Sequence, residues 1–245
     1  MKKVNAIFLV IAISNVLYAI TAEEIIDKID DNRVFNTIEY TATMNISIGG
    51  QIREKTFKGY ARGEDHAYME FVAPERDKDT RFLMLDNEMY LYIPDVGKPT
   101  RIAGHMLRQS MMGSDFSYDD FTENERLLDL YEIELTGSDT FNQQDCHVLE
   151  LTAKVEEVGY YKRKAWVTKN NYTLVKTELY AKSGKLMKEL NVLETRQIAS
   201  RDFPVRIRMI NKLRKDTYTE LSFDDIKLDI SIPDKYFSIG YLERK

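Results

Sequence analysis

Residues 37–62 read TIEYTATMNISIGGQIREKTFKGYAR. Before the glycines, the even positions Ile38, Tyr40, Ala42, Met44, Ile46 and Ile48 are apolar, and the odd positions Thr37, Glu39, Thr41, Thr43, Asn45 and Ser47 are polar. Successive side chains of a strand point to opposite faces, so this alternation predicts a strand with one dry and one wet face. Gly49-Gly50 is a two-residue hairpin signal, and Gln51 to Arg62 reads as the more polar return strand.

The same pattern extends outward in both directions. His66 to Val72, Arg81 to Leu85 and Glu88 to Ile93 follow, with Asp86-Asn87 as a turn. Tyr131 to Leu135, Cys146 to Ala153, Tyr160 to Thr168 and Tyr172 to Ala181 continue it, with turns at Asn170-Asn171 and Ser183-Gly184. Leu186 to Gln197, Val205 to Leu213, Tyr218 to Phe223 and a last apolar series from Ile226 to Ile232 complete it. The expectation is a mainly β chain of about ten or eleven antiparallel strands at hairpin spacing, curved into one large sheet or a barrel that nearly closes. There is no linker, low-complexity tract or fixed-period repeat, so residues 23–245 read as a single domain.

Ahead of the strands, Thr21-Ala-Glu-Glu24 has the capping-box pattern, and Ile25, Ile26 and Ile29 fall on one helical face. This predicts a short amphipathic helix ending near Asn32 and lying on the sheet. Residues 1–22 read as an export signal: Lys2 and Lys3 precede an apolar run from Val4 to Leu17, with small residues at Ala19 and Ala22 for cleavage. The run is shorter than the roughly 20 apolar residues of a membrane span. No cysteine follows it, so the lipid anchor of a bacterial lipoprotein is not expected.

The lone cysteine, Cys146, excludes an internal disulfide and reads as a small buried hydrophobe on a strand. Loss of Lys2 and Lys3 takes the formal charge from −5 to −7, which argues against nucleic acid or an anionic membrane surface as main partner. His66, His105 and His147 lack metal-ligand spacing, and no nucleophile elbow, P-loop or dinucleotide fingerprint is present. Asp115, Asp119, Asp120, Glu123 and Glu125 are a dense acidic cluster without calcium-loop order, read as a solvated loop. Asn45 and Asn171 begin glycosylation sequons, a short motif of frequent chance occurrence. No catalytic residue, metal site or cofactor is therefore expected.

The strand pattern is interrupted once, by HMLRQSMMGSDFSYDDF at residues 105–121. It holds three methionines and two phenylalanines without period-2 alternation. Unbranched thioethers adapt to irregular apolar surfaces, which suits a cover over a greasy cavity; a core-packing helix followed by a loop fits the spacing as well. Met106, Met111, Met112, Phe116, Tyr118 and Phe121 are the candidate lid or cavity residues. Met84, Met89, Leu91 and Trp166 are candidate walls, with Trp166 on the face of Tyr160.

Several of these pieces resemble the LolA-like family of outer-membrane lipoprotein-sorting proteins. They are the Ala22-Glu-Glu-Ile-Ile26 helix, Gly59-Tyr-Ala-Arg62 with the strand ending at Pro74, the strand from Met89 to Pro94, and the ending from Phe223 to Pro233. The run Met-Gly-Ser-Asp-Phe-Ser-Tyr-Asp-Asp-Phe resembles that of one bacterial branch. The resemblance implies a half-open β-barrel, helices acting as a lid, and an apolar interior for acyl chains. It also implies an arginine latching the lid, for which Arg62 is the counterpart by position. Here Gly63 follows where the family has proline, and a strand-end surface arginine is the alternative.

The expected function is a periplasmic, non-enzymatic carrier or chaperone. It would take the acyl chains of a lipoprotein or lipid from an inner-membrane transporter towards an outer-membrane acceptor. The alternative is a lipid- or lipoprotein-sensing accessory module working with an inner-membrane exporter or regulator.

Overall fold

The computed structural model describes residues 20–33, 35–86, 88–122, 126–199 and 201–244. Most of the expected signal segment, Asn87 of the expected turn, and Glu123 and Glu125 of the acidic cluster lie outside these. A helix α1 (Ala22–Arg33) leads into β1 (Thr37–Ile48), β2 (Gln51–Arg62), β3 (His66–Ala73), β4 (Arg81–Leu85), β5 (Glu88–Tyr92) and β6 (Pro99–Ile102). Three single 3₁₀ turns and a short helix α2 (Leu127–Leu130) intervene. Then come β7 (Tyr131–Phe141), β8 (Gln144–Ala153), β9 (Lys162–Thr168), β10 (Leu174–Tyr180), β11 (Leu186–Ile198), β12 (Arg201–Asn211) and β13 (Thr217–Leu228), with a last helix α3 (Ile239–Leu242).

All thirteen strands form one antiparallel sheet in the order β6-β5-β4-β3-β2-β1-β13-β12-β11-β10-β9-β8-β7. This is an open curved sheet, the half-open form expected, with more strands than the ten or eleven anticipated. The short β6 carries too few residues to show an alternation, and the last two apolar series are mostly one strand, β13. At the centre Thr43 pairs with Thr56 on one side and Ser222 on the other. The β1–β2 hairpin closes through Gly49 and Gly50 at φ 56° and 80°, a left-handed pair that glycine adopts without steric cost. Pro204 falls on β12 outside the stretch paired with β13, opposite Thr195 of β11 at a register irregularity.

The capping box forms: Thr21 N donates to Glu24 Oε2 at 2.9 Å and Glu24 N to Thr21 Oγ1 at 3.2 Å. Ile25, Ile26 and Ile29 are buried against Leu149, Leu151, Ala165 and Val167 of β8 and β9. The helix also touches both β7 and β12, five places apart in the sheet, so the sheet curls round it. That face is the concave one. Its other half is lined by Ala42, Met44, Ile46, Phe57, Phe71, Phe82, Met209 and Leu221. Tyr40 and Gly59 are directly opposed, and a Cβ on Gly59 would sit 2.2 Å from the Tyr40 ring, so glycine makes room for that ring.

The convex face carries a second, aromatic cluster. Tyr68 and Leu83 alternate with inward Met69 and Phe82, and Tyr236, Tyr241 and Leu242 of the C-terminal segment cover them. Arg81 donates to the carbonyls of Leu242 and Arg244, and Arg244 pairs with Glu70 at 2.6 Å. Burial opposes the Glu70 charge, but hydrogen bonds from Arg244 and Arg81 outweigh it and hold the carboxyl below its ordinary value of 4.5. Because the folded value is depressed, the clamp's contribution is complete above the unfolded value and disappears as pH falls through the folded one. Glu70→Gln should therefore lower the urea midpoint at pH 7 and lose most of that difference by pH 3; an equal difference at both would contradict the clamp.

Candidate functional site

The two edges of the sheet, β6 and β7, are consecutive in sequence, so residues 103–130 must run from one edge to the other. Residues 106–121 of this run lie over the concave face. Met111 and Phe116 are buried in the concave core, and Met106, Leu107, Met112, Tyr118 and Phe121 pack against it. The segment is not a core helix. It is a chain of 3₁₀ turns folded on itself, with Met111 N donating to Phe116 O at 2.8 Å and an isolated bridge between Ser110 and Ser117. Met112 at φ 52° and Gly113 at φ 80° reverse the chain between them.

Two carboxylates fix this lid to the wall. Asp115, 3% exposed, accepts from Thr217 Oγ1 at 3.0 Å and Thr219 Oγ1 at 2.9 Å, while its own N–H donates to Thr219 Oγ1 at 2.9 Å. Asp120 accepts from Lys188 Nζ at 2.8 Å, the Tyr160 hydroxyl at 2.7 Å and the Ser117 N–H at 2.7 Å. Burial, and then the neighbouring Asp120 charge, push the Tyr160 phenol well above its ordinary value, so it stays a proton donor. The Met-rich surface thus supplies apolar contact, and two points of charge-assisted hydrogen bonding set its register on β13 and β11.

Of the candidate residues, Met106, Met111, Met112, Phe116, Tyr118 and Phe121 come together on the lid. Met84 and Met89 oppose each other on the concave wall, and Leu91 opposes Phe82, which lies 5.9 Å from the Tyr118 ring. Trp166 does not join them. It lies on the convex face with Cys146, Val148 and Val175, between Lys176 and Lys164, and its Nε1 donates to Asp139. Tyr160 precedes β9, so the two-residue alternation that put it on the face of Trp166 does not reach it. Arg62 is not the lid latch: its guanidinium donates to the Ile232 carbonyl at 3.0 Å and to Asp234, and stacks on Phe237. It is the strand-end arginine of the alternative reading, holding the C-terminal segment. The solvated-loop reading of the acidic cluster fails for Asp115 and Asp120. Their signal was present, as two carboxylates within an otherwise apolar run, but their partners on the sheet wall lie 40 to 104 residues away.

Surface clefts of about 550 Å³ beside the β1–β2 turn and about 400 Å³ near Tyr40 and Tyr60 include no lid residue. Under the lid, Met111 and Phe116 are themselves buried among the side chains of the concave core. Cys146 is buried on β8, and burial pushes its thiol up, as befits a packing residue. No group of three metal-ligating side chains occurs among the described residues, and no helix among them is long and apolar enough to cross a membrane.

Residues 63–244 match the model of a family described as "uncharacterized protein". The chain belongs to that family. Three solved structures share its architecture along nearly the whole length. A DUF1329 family protein from Desulfovibrio piger has a TM-score of 0.83 at 24% identity, over 90% of this chain and 97% of its own. A protein from Vibrio parahaemolyticus, described provisionally as an outer membrane lipoprotein-sorting protein domain, has a TM-score of 0.81 at 22% identity, over 91% and 100%. A LolA superfamily protein from Nitrosomonas europaea has a TM-score of 0.76 at 23% identity, over 91% and 100%. At these identities the likeness concerns the fold, which is LolA-like. No curated protein sequence matches the chain.

Removing the Asp115 carboxylate leaves Thr217 and Thr219 without their acceptor in a dry site. Asp115→Ala should cost about 2–4 kcal/mol in urea unfolding. It should also render residues 104–122 sensitive to brief proteolysis while the sheet persists. Unchanged cleavage would show that the carboxylate does not hold the lid.

Proposed function

We propose that the protein is an exported, non-enzymatic carrier that takes acyl chains of a lipoprotein or lipid onto its concave face as the lid lifts, and moves them towards the outer membrane. The observation that carries this reading is the closed lid itself. A Met-rich crossing fills an apolar trough, and hydrogen bonds at Asp115, Ser117 and Asp120 tie it to β13 and β11. Each CH₂ of a ligand taken from water contributes about 0.8 kcal/mol, so a dodecyl or longer chain can offset the apolar contact that the lid gives up. A carrier must also release its load, and a lid whose open and closed states are close in free energy permits both.

Export fits the same reading. Ile20, Thr21 and Ala22 take part in the packing and capping of α1, which favours cleavage after Ala19 over Ala22. An inner-membrane transporter would supply the cargo and an outer-membrane acceptor would receive it. The names of the similar structures, a lipoprotein-sorting domain and a LolA superfamily protein, support the class of cargo.

Native mass spectrometry of the protein purified from a periplasmic extract, followed by lipid extraction, tests this reading. It should give a co-purifying acyl species. Met112→Asp, at a left-handed position that aspartate tolerates, should remove that species without loss of the fold. An apo mass that stays apo with added triacylated peptide and phospholipid would overturn the carrier reading.

A further inference from the structure

One cross-strand row of the concave face is charged. Lys188 of β11 stands opposite Leu179 of β10, which stands opposite Arg163 of β9. The Tyr160 ring bridges the two cations, 5.6 Å from Lys188 Nζ and 5.8 Å from the Arg163 guanidinium carbon. Arg163 is held by the Tyr131 hydroxyl at 3.0 Å, and Tyr131 is itself buried. A trough meant only for hydrocarbon has no need of an ammonium on its wall, since burying a cation is costly unless it is paired. In the closed state the pair is Lys188 with the lid's Asp120, both side chains about nine-tenths buried. On the same face, Thr177 keeps a buried hydroxyl with no hydrogen-bond partner, two residues along β10 from Leu179.

When the lid lifts, Asp120 leaves with it and Lys188 stays on the strand. A neutral amphiphile entering the trough would leave that ammonium without a counter-charge. An anionic head group would restore it and accept from the Tyr160 hydroxyl as Asp120 does now. We propose that Lys188 and Tyr160 form the head-group site for an anionic amphiphile, a lipid bearing phosphate or carboxylate. Asp120 occupies this site as an internal stand-in until the ligand displaces it. The proposal rests on the carrier reading and narrows its cargo to anionic lipids over neutral acyl groups.

The test is calorimetric titration of the purified protein with dodecyl phosphate, monolauroylglycerol and inorganic phosphate. The two chain-bearing ligands, one alkyl and one acyl, each carry twelve carbons and are used below micelle formation. Dodecyl phosphate should bind about tenfold or more tightly than monolauroylglycerol, and inorganic phosphate, which brings no chain to displace the lid, should not bind measurably. The double variant Asp120→Leu, Lys188→Met removes both buried charges, a change that commonly leaves folding intact. It should abolish the preference while still binding monolauroylglycerol, and Lys188→Arg should retain the preference. Equal affinity of the native protein for the two chain-bearing ligands, or an unchanged preference in the double variant, would overturn the head-group site and leave the carrier reading standing. Inorganic phosphate binding as tightly as dodecyl phosphate would overturn the amphiphile class. Binding of neither chain-bearing ligand would overturn the carrier reading and this one together.

Discussion

The structure depends on a crossing. Because β1 and β13 meet in the middle of the sheet, its two ends are β6 and β7, and the chain has to travel between them in one step. On the convex side that path is blocked over β2 to β5 by the C-terminal segment and its tyrosines. On the concave side it meets Ala42, Met44, Phe57, Phe82 and Leu221, which need a cover. The crossing therefore serves as the roof of the core and as the covalent connection between the two arms, which the β1–β13 pairing also joins.

The roof is divided between two physical interactions. The methionines and phenylalanines provide contact that is strong in sum and indifferent to small shifts. Asp115 and Asp120 provide register, since a carboxylate that loses its donors in a dry site is costly. The helix α1 covers the remaining part of the concave face through Ile25, Ile26 and Ile29. The end of the crossing joins it there: Leu127, Leu128 and Leu130 pack in the same cluster, and Arg126 pairs with Asp27 at 3.0 Å.

Much of this was legible in the residues themselves. The alternation in residues 37–62 placed β1 and β2 at their observed ends, and the capping box placed the start of α1. Strand β7 runs on to Phe141 through Thr136, Gly137, Ser138 and Asp139, a polar stretch with no apolar period, because an edge strand needs backbone pairing on one side only. The segment was recognisable as an interruption of the strand pattern, and its apolar residues lie in or against the concave core. Its fastenings were not. A carboxylate in a loop reads as solvated unless its donors are known, and the donors of Asp115 sit on a strand that alternation describes only as half-buried. Arg62 was misplaced for the converse reason: a positional likeness to a family latch says nothing of the C-terminal carbonyl that takes the guanidinium here.

The most direct test of the account is hydrogen exchange of the peptide over residues 104–122, with and without saturating dodecyl phosphate. The account predicts that ligand binding strips protection from the amides of Met111, Ser114 and Asp115 while β11 and β13 keep theirs. Binding that leaves those three amides as protected as in the free protein would place the ligand elsewhere and contradict the lid.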